Sequence, residues 1–113
     1  MTDGPGAEVE VLDNPPEARY EIRVGGELAG FLTYRLRDGR IALVHTEVDD
    51  ARSGHGLGSE LVRAALEDVR ERRLALEPIC PFVTAMIRRS PELYLDLVAP
   101  GMRERVMRSS EAG

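Results

Sequence analysis

Hydrophobic and polar residues alternate through the first half of this chain in the manner of β-strands. Two such runs within residues 18–36 flank the pair Gly25-Gly26, which predicts a hairpin with a glycine turn. A second turn is predicted at Asp38-Gly39, before the next apolar run. The pattern therefore indicates successive strands joined by short turns.

The run at residues 41–48, IALVHTEV, predicts a strand with apolar residues at both odd and even positions. Strict alternation divides it into two faces, one with Ile41, Leu43, His45 and Glu47 and the other with Ala42, Val44, Thr46 and Val48. Because apolar side chains occur on both faces, we expect this strand to be covered on both sides.

The hydrophobic period then changes from that of a strand to that of a helix, over residues 56–72. Charged residues occupy the remaining positions and can pair at helical spacing, as Asp68 can with Arg72. An amphipathic helix lying on a sheet is predicted, with an apolar stripe formed by Leu61, Val62, Ala65, Leu66 and Val69.

A short apolar strand is predicted at residues 74–79, after this helix. It forms a βαβ unit with the strand at 41–48, so the two strands should be parallel and joined by a right-handed crossover. A second helix should begin at Pro81 and end at Ser90-Pro91. The segment ELYLDLV that follows is expected to be packed, without a defined type.

Three glycines, Gly54, Gly56 and Gly58, fall between the first strand of this unit and its helix. A helix N-terminus carries unpaired N–H groups and a partial positive charge, and glycines let an anion approach them closely. The stretch fits a phosphate-binding loop, with a tight strand-to-helix turn as the equally open alternative. A dinucleotide-binding fingerprint is excluded, because its third glycine would fall on Ser59 or Leu61.

Length and charge limit the class of protein. The 113 residues allow one domain with one core, and the formal net charge of -5 argues against a nucleic-acid partner. Short hydrophobic runs and a start unlike a signal peptide argue against a membrane partner, so a cytoplasmic protein is expected. The segments 1–7 and 100–113 are expected to be a flexible N-terminus and a flexible tail around a domain at 8–99.

Cys80 is the only cysteine, which excludes an internal disulfide, and with two histidines the sequence predicts no metal site. The residue lies at the end of the second parallel strand and directly before a helix, where the helix dipole favours a thiolate. Three interpretations stay open for Cys80: a nucleophile, a pocket-lining residue and a small buried hydrophobe.

The segments HTEVDDARSGHGLGSELVRAALEDV and EPICPFVTAMIRRSPELYLDLV together resemble the GNAT N-acetyltransferase superfamily. Within it the chain is similar to small members with a His-Thr-Glu-Val strand and a Cys-Pro-Phe-Val segment, and the resemblance covers residues 8–98. It implies an α/β (α+β) fold with a mixed, mainly antiparallel sheet, a central parallel βαβ unit and a short C-terminal helix. Larger members carry two more helices between their first strands, and the short turns here leave no room for them.

The resemblance implies acetyl-CoA as co-substrate, with its pyrophosphate against the backbone of the glycine loop. Its pantetheine arm would lie beside the strand that ends at Val48, where two strands part. The residues assigned in this way to cofactor binding are Val48, Arg52, Ser53, Gly54, His55, Gly56, Leu57, Gly58 and Ser59. Ser53 departs from the family pattern of Arg or Gln, so a side-chain contact to phosphate would come from Arg52 or His55.

The resemblance also directs attention to three catalytic candidates, Glu47, His45 and Cys80. An amine must lose a proton before it attacks a thioester, and Glu47 is the expected base, with His45 on the same face. A solvated strand end is the alternative interpretation of both residues. The family often has a tyrosine as general acid where this chain has Met86, which leaves Tyr94, Tyr34 or water.

These features predict an acyltransferase, specifically an acetyl-CoA-dependent N-acetyltransferase that moves acetyl to an unidentified amine by direct transfer. The alternative is an acyl-CoA-binding or regulatory protein without efficient catalysis, which Met86 and the missing helices favour. The resemblance implies an open acceptor side, because the two additional helices are missing. We expect a large or exposed acceptor, a homodimer whose second subunit completes the site, or no small-molecule acceptor at all.

Overall fold

The computed structural model describes residues 8–49 and 56–108, which form a five-stranded sheet and helices. The strands, in both chain and spatial order, are β1 (Val9–Asn14), β2 (Arg19–Val24), β3 (Glu27–Arg37), β4 (Arg40–Val48) and β5 (Ala75–Pro78). The helices are α1 (Leu57–Arg72), α2 (Pro81–Arg89), α3 (Pro91–Tyr94) and α4 (Arg103–Arg108). The first four strands are antiparallel neighbours, and β4 and β5 are parallel.

The predicted turns and the predicted βαβ unit are confirmed. Gly25 and Gly26 join β2 to β3 with φ angles of 59° and 89°, values that glycine adopts without strain. The parallel pairing of β4 with β5 follows from the crossover through α1, as expected. Arg72 Nε also lies 3.1 Å from Asp68 Oδ2, in the pairing predicted from their spacing.

The hydrophobic core lies between one face of the sheet and α1. The apolar stripe of α1 is buried as predicted, with Leu57 as an additional member, and packs across β2, β3 and β4. The sheet side chains that face it are fully buried, namely Ile22, Leu32, Ile41 and Leu43. We call the other side of the sheet, which carries Phe31, His45 and Glu47, the open face.

The alternation predicted for β4 is wrong beyond Val44. Tyr34 pairs with Leu43 but Thr33 pairs with His45, so Val44 is an extra residue on β4, a β-bulge. Because paired residues share a face, the bulge moves His45 and Glu47 away from the core face that Leu43 occupies, and moves Thr46 onto it. The expectation that β4 is covered on both sides is therefore also wrong for its second half, where His45 and Glu47 side chains are 60% and 63% exposed.

Two further segments differ from the sequence prediction. β1 was not predicted, and a single 3-10 turn at Pro15–Glu17 joins it to β2, so no helix lies between these strands. Residues 100–108 of the predicted tail form a 3-10 turn and α4. Val106 is buried there, and Arg103 Nε donates to the Val98 carbonyl at 2.9 Å.

Residues 1–7 and 109–113 lie outside the described residues. Across residues 8–49 and 56–108, none of the helices is both long and apolar enough to cross a membrane.

Candidate functional site

The parallel strands β4 and β5 part halfway along β4. Their pairing ends with Leu43 opposite Pro78, after which the N–H groups of Ile79 and Cys80 both donate to the Leu43 carbonyl, at 3.0 and 2.9 Å. The chain then enters α2, while β4 continues to Val48. The second half of β4 and the start of α2 thus form the two sides of an opening.

The sides of this opening are in contact through Thr46 and Cys80. The bulge turns Thr46 toward the core side, where its Oγ1 lies 3.1 Å from Cys80 Sγ. Cys80 is the N-cap of α2 and is only 3% exposed. The structure therefore places the predicted thiol at the parting of the strands, in a hydrogen bond with a hydroxyl.

The start of α1 lies at the same end of the sheet. Its N-cap, Gly56, has a φ of 74°, and no side chain among the described residues caps the helix. The first hydrogen bond of the helix runs from the Glu60 N–H to the Gly56 carbonyl at 3.0 Å, so the three preceding N–H groups have no acceptor within the helix. This is the arrangement of backbone donors that binds anions at helix N-termini.

The structure brings part of the predicted cofactor site together. Val48 approaches the first turn of α1, which contains Leu57, Gly58 and Ser59 next to Gly56. The predicted site residues Arg52, Ser53, Gly54 and His55 lie outside the described residues.

Glu47 lies on the open face, at the rim of a cavity of about 350 Å³. His45 Nε2 is 3.9 Å from Glu47 Oε2, which is beyond hydrogen-bond distance but within the range of an ion pair when His45 is protonated. The cavity is lined by Leu28, Ala29, Gly30, Phe31, Glu47, Val48 and Asp49. A carboxylate at the edge of such a cavity can accept a proton from a molecule bound there.

Sequence reasoning missed a second carboxylate on the open face, that of Glu21. Its side chain is 4% exposed, because Asn14, Arg19 and Arg23 cover it and donate to it at 2.8 to 2.9 Å. Hydrogen bonds from Asn14 and Arg23 lower the pKa of Glu21 to about 2, with a smaller contribution from Arg19. Arginines two positions before and after a glutamate, all on one face of a strand, are the signal in the sequence that could have revealed this cluster.

The structure does not bring the alternative general acids to the opening. Tyr34 donates its hydroxyl hydrogen to Asp13 at 2.6 Å, and burial together with this bond raises the pKa of Tyr34 to about 12. Tyr94 lines a hollow together with Glu67 of α1. Glu67 lies nine residues after Gly58, or about 13 Å along the helix axis, so this hollow is distant from the start of α1 at the opening. Met86 is buried in α2, as a thioether that cannot donate a proton. The contacts of the described residues therefore place neither tyrosine at the opening, and water stays as the predicted alternative.

Comparison with known proteins identifies the class to which this fold and site correspond. A family model described as GCN5-related N-acetyl-transferase matches residues 19–97, and the chain belongs to this family. The chain is 30% identical over 98 residues to Protein NATD1 from Gallus gallus, Mus musculus and Homo sapiens. These alignments cover 84% of this chain and 89%, 89% and 87% of the respective relatives.

A solved structure also resembles this chain. It is a ribosomal-protein-alanine N-acetyltransferase from Brucella melitensis biovar Abortus 2308, with 24% sequence identity and a TM-score of 0.49. The match covers 72% of this chain and 60% of that one. The family match confirms the predicted GNAT membership, and the sheet with four antiparallel strands and one parallel pair confirms the predicted mixed fold.

Proposed function

We propose that this protein is an acetyl-CoA-dependent N-acetyltransferase that transfers the acetyl group directly to an amine. The observation that carries the proposal is the bulge at Val44 on the parted strand. It turns Thr46 toward the opening, beside Cys80, and turns Glu47 toward the open face, where its carboxylate lies at a cavity that Val48 also lines. This division supports a reaction in which the thioester occupies one side of β4 and the amine approaches from the other.

The start of α1 supports binding of the CoA pyrophosphate. The backbone N–H groups of Leu57, Gly58 and Ser59 precede the first intrahelical hydrogen bond, and the helix dipole favours a negative charge beside them. The proposal extends this contact to Arg52, Ser53, Gly54 and His55.

In the proposed reaction Glu47 takes a proton from the ammonium form of the acceptor. The neutral nitrogen attacks the thioester carbonyl, a C–N bond forms and the C–S bond breaks. The nitrogen, which becomes positively charged on attack, releases its second proton to water, and the CoA sulfur leaves with the bonding electron pair and takes up a proton from water. Cys80 lines the pocket in this mechanism, consistent with its burial and its contact with Thr46.

Binding is tested by thermal unfolding with and without acetyl-CoA. At a hundredfold excess over the Kd, the ligand should raise the free energy of unfolding by about 2.7 kcal/mol. Gly56→Val should remove most of this gain, because valine is strained at a φ of 74° and its side chain would stand beside the backbone donors. No stabilisation of the wild-type protein by millimolar acetyl-CoA would contradict the proposal.

Transfer is tested by CoA release with and without a panel of amines, peptides and polyamines. Direct transfer predicts amine-dependent release, only a modest loss in Cys80→Ala, and no acetyl adduct on Cys80 by intact-mass measurement after incubation with acetyl-CoA alone. A rapidly formed adduct that an amine discharges, with an inactive Cys80→Ala variant, would instead establish a covalent acetyl-enzyme.

The alternative function is acyl-CoA binding without efficient catalysis. This alternative is favoured by the lack, among the described residues, of a tyrosine that could protonate the CoA sulfur. The Tyr34 hydroxyl donates to Asp13, and Met86 occupies the position where the family often has a tyrosine. Tight acetyl-CoA binding without release of CoA to any amine would support this alternative.

A further inference from the structure

Phe82, in the first turn of α2, lies against Gly58 in the first turn of α1, beside the opening between β4 and α2. A methyl group added at Gly58 would lie 2.9 Å from Phe82 Cζ and 3.1 Å from Phe82 Cε2, both too close for carbon atoms. The same methyl group would lie 3.7 Å from Val48 Cγ2. The ring of Phe82 therefore occupies a notch in the first turn of α1 that exists because residue 58 has no side chain.

The backbone of α1 offers no other reason for a glycine at this position. Gly58 has an ordinary helical place in α1 and no positive φ, whereas Gly56 before it does have one. Glycine is a poor helix former compared with alanine. The close approach of the Phe82 ring is a reason for a glycine at residue 58 that adds to the proposed approach of a phosphate to this turn.

Phe82 lies outside the fully buried core. The residue is 41% exposed, whereas Val83 beside it is fully buried and anchors α2, so rotation of the Phe82 ring would leave this packing in place. Movement of the ring would separate α2 from Gly58 while the contact between Thr46 and Cys80 stays at the inner end of the opening.

We infer that Phe82 is a gate residue, which closes the opening when its ring lies against Gly58 and leaves this notch when the acyl-CoA arm enters. The inference rests on the proposed function, because it takes the opening as the path of that arm. A closed state that competes with the ligand lowers the fraction of protein able to bind, and so slows association.

The gate is tested by stopped-flow measurement of acetyl-CoA association with the full chain. Phe82→Ala should associate about threefold faster or more, because the closed state loses its contact, and Phe82→Leu should lie between this variant and wild type. Leu93→Ala is the matched control, since Leu93 is an exposed apolar residue on α3, and it should leave the rate unchanged. An unchanged or slower rate in Phe82→Ala would overturn the gate and make Phe82 a fixed wall.

The notch is tested separately, by thermal unfolding of Gly58→Ala in two backgrounds without any ligand. Beside Phe82 the new methyl group collides with the ring, so Gly58→Ala should lower the Tm or leave it unchanged. In Phe82→Ala the collision is gone, and the same substitution should raise the Tm because alanine is the better helix former. An equal change in Tm from Gly58→Ala in both backgrounds would show that the Phe82 ring does not depend on a glycine at residue 58. It would therefore overturn the inference that Phe82 is a gate residue.

The two tests separate this inference from the proposed function. Absence of acetyl-CoA binding in wild type and every variant would overturn both. Binding with equal association rates in wild type and Phe82→Ala would overturn the gate alone.

Discussion

Glu21 and Glu47 are two carboxylates on the same face of the sheet, and each pairs in register with Phe31. Three donors fill the oxygens of Glu21, whose side chain is 4% exposed and whose pKa is lowered to about 2. Glu47 is 63% exposed, and His45 lies 3.9 Å away. A glutamate on the open face is therefore not a candidate base by its position alone. Glu21 is held in its charged form by its neighbours and stabilises the sheet, whereas Glu47 remains accessible to a substrate.

The largest expected effect is on turnover in Glu47→Gln. The amide keeps the shape of the side chain and removes its basicity, so turnover should fall about a hundredfold or more, while acetyl-CoA binding persists. Steady-state CoA release with a productive amine measures this. Glu10→Gln is the control, because Glu10 is an exposed carboxylate on β1, and its turnover should match wild type. Equal turnover in both variants would contradict the role of Glu47 as a base and would favour the alternative interpretation, a solvated strand end.

The second effect is on stability in Glu21→Gln. This change leaves the guanidinium groups of Arg19 and Arg23 without their carboxylate, so the free energy of unfolding at about pH 7 should fall by about 1.5–3 kcal/mol. Urea unfolding measures this loss. As a control, Glu47→Gln should change the free energy of unfolding by less than about 0.5 kcal/mol. A loss in Glu21→Gln no larger than in Glu47→Gln would mean that water screens the cluster.

The stability from Glu21 should disappear in acid. Its pKa is lowered from 4.5 to about 2 in the folded protein, so its contribution is present above 4.5 and is lost as the pH falls from 4.5 toward 2. The difference in unfolding free energy between wild type and Glu21→Gln should therefore shrink over this range. Urea unfolding at several pH values measures it, and a difference that does not vary with pH would assign the stabilisation to packing instead.

The smallest expected effect is that of His45→Gln on turnover. His45 is 60% exposed and 3.9 Å from Glu47, and exposed ion pairs contribute at most about 1 kcal/mol, so the loss should be about fivefold or less. The loss should also decrease at high salt. Steady-state rates at low and high salt measure both quantities. A loss as large as that of Glu47→Gln would make His45 a member of the proton-transfer machinery.

The local elements of the fold could be predicted because their causes are local. A glycine pair between two alternating runs specifies the β2–β3 turn, and apolar spacing specifies the buried side of α1, since both depend on residues a few positions apart. The crossover from β4 through α1 to β5 places the glycine-bearing start of α1 beside the end of β4, so the general location of the candidate site was also predictable.

The sequence by itself thus determined the order of strands and helices, the βαβ unit and the chemical types of residue near its first turn. Only the tertiary structure decided which way those residues face. The bulge at Val44 arises from the register between β3 and β4, and one extra residue on one strand reverses the side of every residue after it. The hydrogen bond from Asn14 to Glu21 and the contact of Phe82 with Gly58 were equally absent from the local pattern, because each joins residues from different elements whose distance depends on packing.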